Sequence, residues 1–268
     1  MTAINFTKIQ STGNDFVVVD FSDVPQSLFN ENTIQKICHR NFGVGADGLI
    51  ALEQSGEYAF RFHYYNADGT RAAMCGNGLR AAMRFAYNKH WVTDQDGFLF
   101  VADDGVHQGI INNNLFKTNI LIRDSVREIP VSDLNLPQWI DRAYTINTGV
   151  PHLVLICNSD LENEEIKVLG RTLRYHDKFK PQGTNVNYVQ FMENNTMYIR
   201  TYERGVENET LSCGTGVTAS SLVARNYYNY TDKVKIKTNG GILEVSFEGD
   251  NTYIKGPSEC SFSGEYKY

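Results

Sequence analysis

The same four-residue pattern occurs twice in this chain, each time directly before a helical run. Cys75-Gly76-Asn77-Gly78 is the first copy and Cys213-Gly214-Thr215-Gly216 the second. Other landmarks keep the same register. Gly45 lies 30 residues before Cys75, and Gly183 lies 30 before Cys213. Gly13 lies 62 residues before Cys75 and Gly149 lies 64 before Cys213, each directly after a threonine, Thr12 or Thr148. One match could be chance. Three in the same order imply two similar halves, with the boundary in or just after the polar stretch 112–119. We place the N-terminal half at 1–121 and the C-terminal half at 122–257, with a tail, 258–268, packing on the first.

Periodicity gives the fold class. Phe16–Val19, Phe98–Val101, Tyr188–Phe191, Met197–Tyr202 and Ile242–Phe247 read as strands. From Tyr58 to Tyr65 the alternation sets Tyr58, Phe60, Phe62 and Tyr64 on one face, and this aromatic cluster is expected in the core. Helical faces are fewer: Ile34, Ile37 and Cys38; Ile166, Leu169 and Leu173; Leu79, Ala82, Met83 and Ala86; and Ala219, Leu222 and Val223. Many short strands with few helices predict an α+β fold and not a βαβ repeat.

The repeated motif has a chemical use. The first N–H groups of a helix lack intrahelical partners and carry partial positive charge, which favours carboxylates and thiolates. Glycines there let a ligand approach the backbone. Two such elements supply two sulfurs and two anion cradles. That pairing suits removal of a proton from one face of a carbon and delivery to the other, with one cysteine as thiolate and one as thiol.

Composition narrows the classes. The net charge of −6 argues against nucleic acid or an anionic membrane as main partner. No apolar run is long enough to span a bilayer, and the leading Met1-Thr2-Ala3-Ile4-Asn5 does not read as a signal peptide. The five cysteines are widely spaced and form no CxxC pair, which points to a reduced, cytoplasmic protein without a zinc site. Cys38 and Cys157 read as packing, and Cys260 as inert.

With these motifs in hand the chain resembles the diaminopimelate epimerase family over nearly its full length. The resemblance is carried by Gly13-Asn14-Asp15-Phe16, Gly43-Val44-Gly45-Ala46-Asp47-Gly48, Tyr65-Asn66-Ala67-Asp68-Gly69-Thr70 and Met74 to Gly78. Gly183-Thr184-Asn185-Val186-Asn187, Tyr202-Glu203-Arg204-Gly205 and Glu209 to Gly216 complete it. The resemblance implies interconversion of LL- and meso-2,6-diaminopimelate, a step toward lysine and peptidoglycan precursors, without pyridoxal phosphate or metal. It also implies a homodimer of two pseudo-symmetric half-domains. Each half would be a mostly antiparallel sheet around a central helix, with the active site in the cleft between them. Residue by residue, Cys75 matches the proton donor and Cys213 the acceptor. Gly76, Asn77, Gly214 and Thr215 match the helix-start amides that hold the carboxylate. Asn14, Asn66, Asn185, Glu203 and Arg204 match groups that bind the substrate and its distal end. His152 and Glu203 match groups that help set the protonation of the thiols.

Three departures touch substrate binding. Gly48 stands where some members have glutamine. Val150 replaces the asparagine of Gly-Asn-Pro-His. The loop between Glu203 and Cys213 is one residue longer, through Val206-Glu207-Asn208. A proline or hydroxyproline epimerase is the nearest alternative, but that family typically has histidine where this chain has Asn77. Phenazine-pathway isomerases lack the paired cysteines. A non-catalytic redox protein with a regulatory disulfide, and a pyridoxal-dependent racemase, are the alternatives from other classes.

Overall fold

The computed structural model describes residues 3–93, 97–122 and 124–267. Met1 and Thr2 of the leading segment, and Tyr268 of the tail, lie outside them. The chain forms two compact units, one reaching to Asn119 and resuming at Lys255, the other Ile120–Ile254.

The first unit runs β1 (Ala3–Ser11), β2 (Asn14–Asp20), α1 (Glu31–Cys38), β3 (Gly48–Glu53), β4 (Arg61–Asn66) and β5 (Arg71–Ala72). It continues with α2 (Gly76–Asn88), β6 (Phe98–Ala102), β7 (Gly105–Asn112) and β8 (Leu115–Ile120). The second runs β9 (Arg127–Ile129), β10 (Ile140–Asn147), β11 (Pro151–Cys157), α3 (Ile166–Arg174), β12 (Asn185–Met192), β13 (Thr196–Glu203) and β14 (Asn208–Thr210). Then come α4 (Gly214–Tyr228), β15 (Lys233–Thr238) and β16 (Gly241–Glu248). Strand β17 (Asn251–Pro257) leads out of this unit, and β18 (Glu259–Lys267) pairs antiparallel with β1.

The pairing pattern repeats strand for strand. In the first unit β1–β2 is antiparallel, β2–β3 parallel, β3–β4 and β4–β5 antiparallel, β4–β6 parallel and β6–β7 antiparallel. In the second, β10–β11 is antiparallel, β11–β12 parallel, β12–β13 and β13–β14 antiparallel, β13–β15 parallel and β15–β16 antiparallel. The fold is therefore α+β, a mixed and mostly antiparallel sheet with four α-helices among the described residues. None of those helices is long and apolar enough to cross a membrane.

Register makes positions equivalent. Phe16 starts the parallel β2–β3 pairing opposite Gly48, and His152 starts β11–β12 opposite Asn185. Two residues further, Ile50 faces Tyr64 across β3–β4, while Asn187 faces Thr201 across β12–β13.

The cores follow the sequence pattern. Around α2, Phe60, Phe62, Leu79, Ala82, Met83, Phe85, Phe100 and Phe116 are buried together. The opposite face of the same sheet is also buried, against α1, with Ile34, Ile37, Cys38, Leu49 and Tyr65. Cys38 and Cys157 are core residues whose thiols burial pushes up to about 12, out of reach of ionisation at neutral pH. Cys260 is exposed.

One expectation fails. The aromatic alternation from Tyr58 predicts a strand from that residue, but β4 begins at Arg61, and Tyr58 is only half-buried and outside the core. The reason is the partner: β3 ends at Glu53, opposite Arg61. Before that point Ala59 N–H donates to the Leu99 carbonyl, and the Phe60 carbonyl accepts from Val101, so the chain is bonded toward β6 instead.

Candidate active site

Each Cys-Gly-x-Gly motif becomes the start of a buried helix, and in both units the cysteine is the N-cap. Cys75 has an extended backbone, φ −144° and ψ 116°, and its Sγ accepts from the Gly78 N–H at 3.4 Å. Cys213 is similar, φ −121° and ψ 107°. Its sulfur lies 3.5 Å from Thr215 Oγ1 instead of capping the helix. Gly76, Asn77, Gly214 and Thr215 are the first residues of α2 and α4, so their N–H groups belong to the first turns.

The repeated Thr-Gly turns serve these helix starts. Thr12 Oγ1 accepts from Arg80 Nη2 at 3.1 Å, and Thr148 Oγ1 donates to the Thr215 carbonyl at 3.1 Å. Their glycines, Gly13 and Gly149, sit at φ 86° and 100°, a conformation that favours glycine.

Around Cys75 the polar groups form a chain of fixed polarity. Arg40 donates to Asp47 at 2.7 Å, and Asn14 Nδ2 donates to Asp47 Oδ2, also at 2.7 Å. Asn14 Oδ1 therefore points the other way. It accepts from Asn77 Nδ2 at 3.2 Å and lies 3.9 Å from Cys75 Sγ. Asn77 Oδ1 in turn accepts from Arg80 Nη2 at 2.9 Å. A carboxylate can only accept and a guanidinium can only donate, so the ends lock both amides between them. Asp15 joins through a bidentate Arg40 contact at 2.8 and 3.1 Å and through Lys8 at 2.8 Å. Burial alone would raise the Asp15 carboxyl, but Arg40 and Lys8 outweigh it and hold it at about 2. Asp47 moves up, through burial and the like charge of Asp15.

Arg80 is fully buried, held by Thr12, Asn77 and the Gly76 carbonyl, and burial pushes it down to about 10. Asn66 stands apart from this chain. It ends β4 and donates from Nδ2 to Thr70 Oγ1 at 3.1 Å.

Gly48 is constrained by its neighbours. A Cβ there would lie 2.6 Å from the Tyr65 carbonyl oxygen, 2.7 Å from Tyr64 Cε2 and 3.1 Å from Tyr64 Oη. Tyr64 fills the space that a glutamine at this position would take.

In the second unit His152 is buried with 1% of its surface exposed, and burial, helped by the Arg204 charge, pushes its pKa down to about 3. Asn185 uses both ends of its amide on backbone. Nδ2 donates to the Pro151 carbonyl at 3.1 Å, and Oδ1 accepts from the Arg204 N–H at 2.9 Å, which pins the turn after β13. Glu203 accepts from Thr210 Oγ1 at 2.9 Å. The Arg204 guanidinium donates to the Gln182 carbonyl at 3.3 Å and has no carboxylate partner among the described residues. Arg174, 13% exposed, stands close enough to help depress the pKa of Arg204, and is itself paired with Glu207 at 3.0 Å. Glu207, in the loop after β13, is the ion-pair partner of Arg174 alone among the described residues. Val150 keeps a backbone role, its carbonyl accepting from Thr148 N–H at 3.2 Å.

The structure thus groups Asn14, Cys75, Gly76 and Asn77 in the first unit, and Asn185, Glu203 and Arg204 at one edge of the second. Cys213, Gly214 and Thr215 form its helix start. Asp47, Arg40, Arg80, Arg174 and Asn187 escape the sequence reading. Arg80 carried a signal, a charged residue four after Gly76 and three before Met83, on an apolar helical face. Asp47 and Asn187 lie inside the segments that carry the resemblance but were given no role there, while Arg40 and Arg174 meet Asp15 and Glu207 across 25 and 33 positions and carried none. Among the described residues no three His, Cys, Asp or Glu side chains are grouped as a metal site requires.

Comparison with known proteins shows which family shares this sequence. A family model described as diaminopimelate epimerase matches residues 6–108 and 144–260. A diaminopimelate epimerase of Flavobacterium psychrophilum is 39% identical over 95% of this chain and 97% of that protein. One from Aquifex aeolicus is 39% identical over 97% of each, and one from Methanocella arvoryzae 37% identical over 99% and 97%. Among solved structures, a phenazine biosynthesis protein of the PhzF family from Bacillus anthracis superposes with a TM-score of 0.77 at 14% identity, over 100% of both chains. A hydroxyproline epimerase from Agrobacterium vitis gives 0.68 at 11%, over 98% of this chain and 92% of that one. These two likenesses concern the fold alone. The family model and the close relatives cover both cysteine-capped helices, and by them this chain belongs to the diaminopimelate epimerase family.

Proposed function

We propose that this protein interconverts LL- and meso-2,6-diaminopimelate by proton exchange at the α-carbon, as a step in lysine and peptidoglycan precursor synthesis. The observation that carries the reading is the pair of cysteine N-caps on helices at equivalent positions in two units of one topology. An α-proton beside a carboxylate is a weak acid, so the developing charge needs aimed donors. The first-turn amides of Gly76, Asn77, Gly214 and Thr215 supply them in this reading. One cysteine, as thiolate, takes the proton; the other, as thiol, returns one to the opposite face. The reverse reaction exchanges the roles. We assign Cys75 as the proton donor and Cys213 as the proton acceptor.

Asn14 and Asn66 bind the substrate in this scheme. Arg204 takes the distal carboxylate, because a guanidinium without a carboxylate partner matches that group in a bidentate fork. Glu203 pairs with the distal ammonium, and Asn185 positions the Arg204 backbone. His152 tunes thiol protonation. No cofactor enters the scheme. A cytoplasmic homodimer is part of the same proposal; sedimentation at micromolar concentration should give twice the chain mass.

The test is LL-diaminopimelate with reduced protein in deuterated water and no added cofactor. Meso product carrying deuterium at the inverted carbon is expected. Recovery of unchanged, undeuterated substrate would overturn the assignment.

A further inference from the structure

The two units use one scaffold position for opposite chemistry. Where the first unit has Ile50, the second has Asn187, and where the first has Phe16, the second has His152. Both inner positions pack on the same helical glycine. A Cβ at Gly78 would lie 3.5 Å from Ile50 Cδ1, and one at Gly216 would lie 2.1 Å from Asn187 Oδ1. An isoleucine therefore suffices for the fold. A buried asparagine and histidine are harder to accommodate, since each polar atom must find a partner.

Asn187 is fully buried and its amide has a determined sense. Nδ2 donates to the Leu153 carbonyl at 3.0 Å, which can only accept, and Oδ1 accepts from Thr201 Oγ1 at 3.1 Å. The same Nδ2 lies 3.1 Å from His152 Nδ1. A ring nitrogen that meets an N–H donor must present its lone pair, so the proton of the neutral ring sits on Nε2. Nε2 is buried and has no hydrogen-bond partner among the described residues.

We propose that Asn187 is a positioning residue that fixes His152 as the Nε2–H tautomer, so that His152 acts in the site as a hydrogen-bond donor and not as a base. The acceptor it fits is an anion with no proton of its own to offer, a thiolate whose protonation it thereby helps set or a carboxylate oxygen of the substrate. The low pKa of His152 agrees, because the ring stays neutral throughout the working pH range. The proposal deepens the reading of an amino-acid epimerase and rests on it for the identity of the acceptor. The tautomer itself can be measured without turnover.

The experiment is two-bond ¹H–¹⁵N correlation on protein with ¹⁵N-labelled histidine, the His152 signals being those lost in His152→Gln. The parent protein should show the Nε2–H pattern. Asn187→Asp offers only acceptors and should move the ring to the Nδ1–H or doubly protonated form. Asn187→Ile, the residue the first unit uses, should leave a mixture of tautomers. With diaminopimelate, both variants should lose about tenfold or more in kcat with a smaller change in KM. An Nδ1–H pattern in the parent, or an unchanged pattern in both folded variants, overturns the proposal. Failure of the parent to epimerise diaminopimelate, with the Nε2–H pattern intact, would count against the substrate and leave the tautomer assignment standing.

Discussion

At the scale of single residues, the two sulfurs are not interchangeable with anything else in the chain. Cys75→Ala and Cys213→Ala should each abolish epimerisation, since inversion needs both an acid and a base; serine at either site should keep at most about a thousandth of the rate, a hydroxyl being a far poorer base. Progress curves followed by circular dichroism of the substrate check both. His152 gives a stability prediction. Its ordinary value of 6.5 falls to about 3 in the folded protein. Between those values the unfolded chain takes up a proton that the folded one refuses, so stability falls as pH drops through that window. Above about 6.5 there is no effect. Urea denaturation should show the parent losing up to about 1.4 kcal/mol more per pH unit than His152→Gln across the window. An identical slope in both would contradict the burial argument. The cysteines were legible in the sequence because a cap is a local device, read from four adjacent letters. The chain of fixed polarity was not. Asn14 meets Asp47 across 33 positions and Asn77 across 63, and no periodicity encodes such partners.

At the scale of elements, the sequence told most where an element packs on one clear face. Leu79, Ala82, Met83 and Ala86 marked α2, and all four are buried. It told least where the partner decides the element, as at Tyr58, whose alternation matches a strand that the neighbouring β3 does not extend to pair. Tyr65 shows a related gap. Its place in the aromatic cluster puts it in the core, but a single alternation cannot reveal that both faces of β4 are covered, one by α2 and the other by α1. The close approach of β4 to β3 also constrains Gly48. Gly48→Gln should destabilise the protein by about 1–3 kcal/mol, because its Cβ would press on the Tyr65 carbonyl oxygen as well as on the Tyr64 ring, so Gly48→Gln with Tyr64→Ala should recover only part of that loss. Thermal melts of the single and double variants measure this. Additive losses would show that Tyr64 is not the obstacle.

At the scale of the whole molecule, the repeated topology was the most legible feature, because glycines in register mark the same turns in both halves. The contribution of the far end of the chain to the first unit has no counterpart in any local motif. Strand β18 covers β1 along Ala3–Gln10. Deleting residues 259–267 should leave β1 with a bare row of donors and acceptors, lowering the melting temperature and promoting aggregation. Light scattering on heating checks this, and an unchanged profile would show that the edge is protected by other means. The same pairing orders events during synthesis. The first unit is interrupted along the chain: most of it is synthesised first, but the strand that covers β1 is made only after the whole of Ile120–Ile254. The half of the protein that is translated first therefore cannot complete its sheet until Glu259–Lys267 has been added, and until then β1 keeps an adhesive edge.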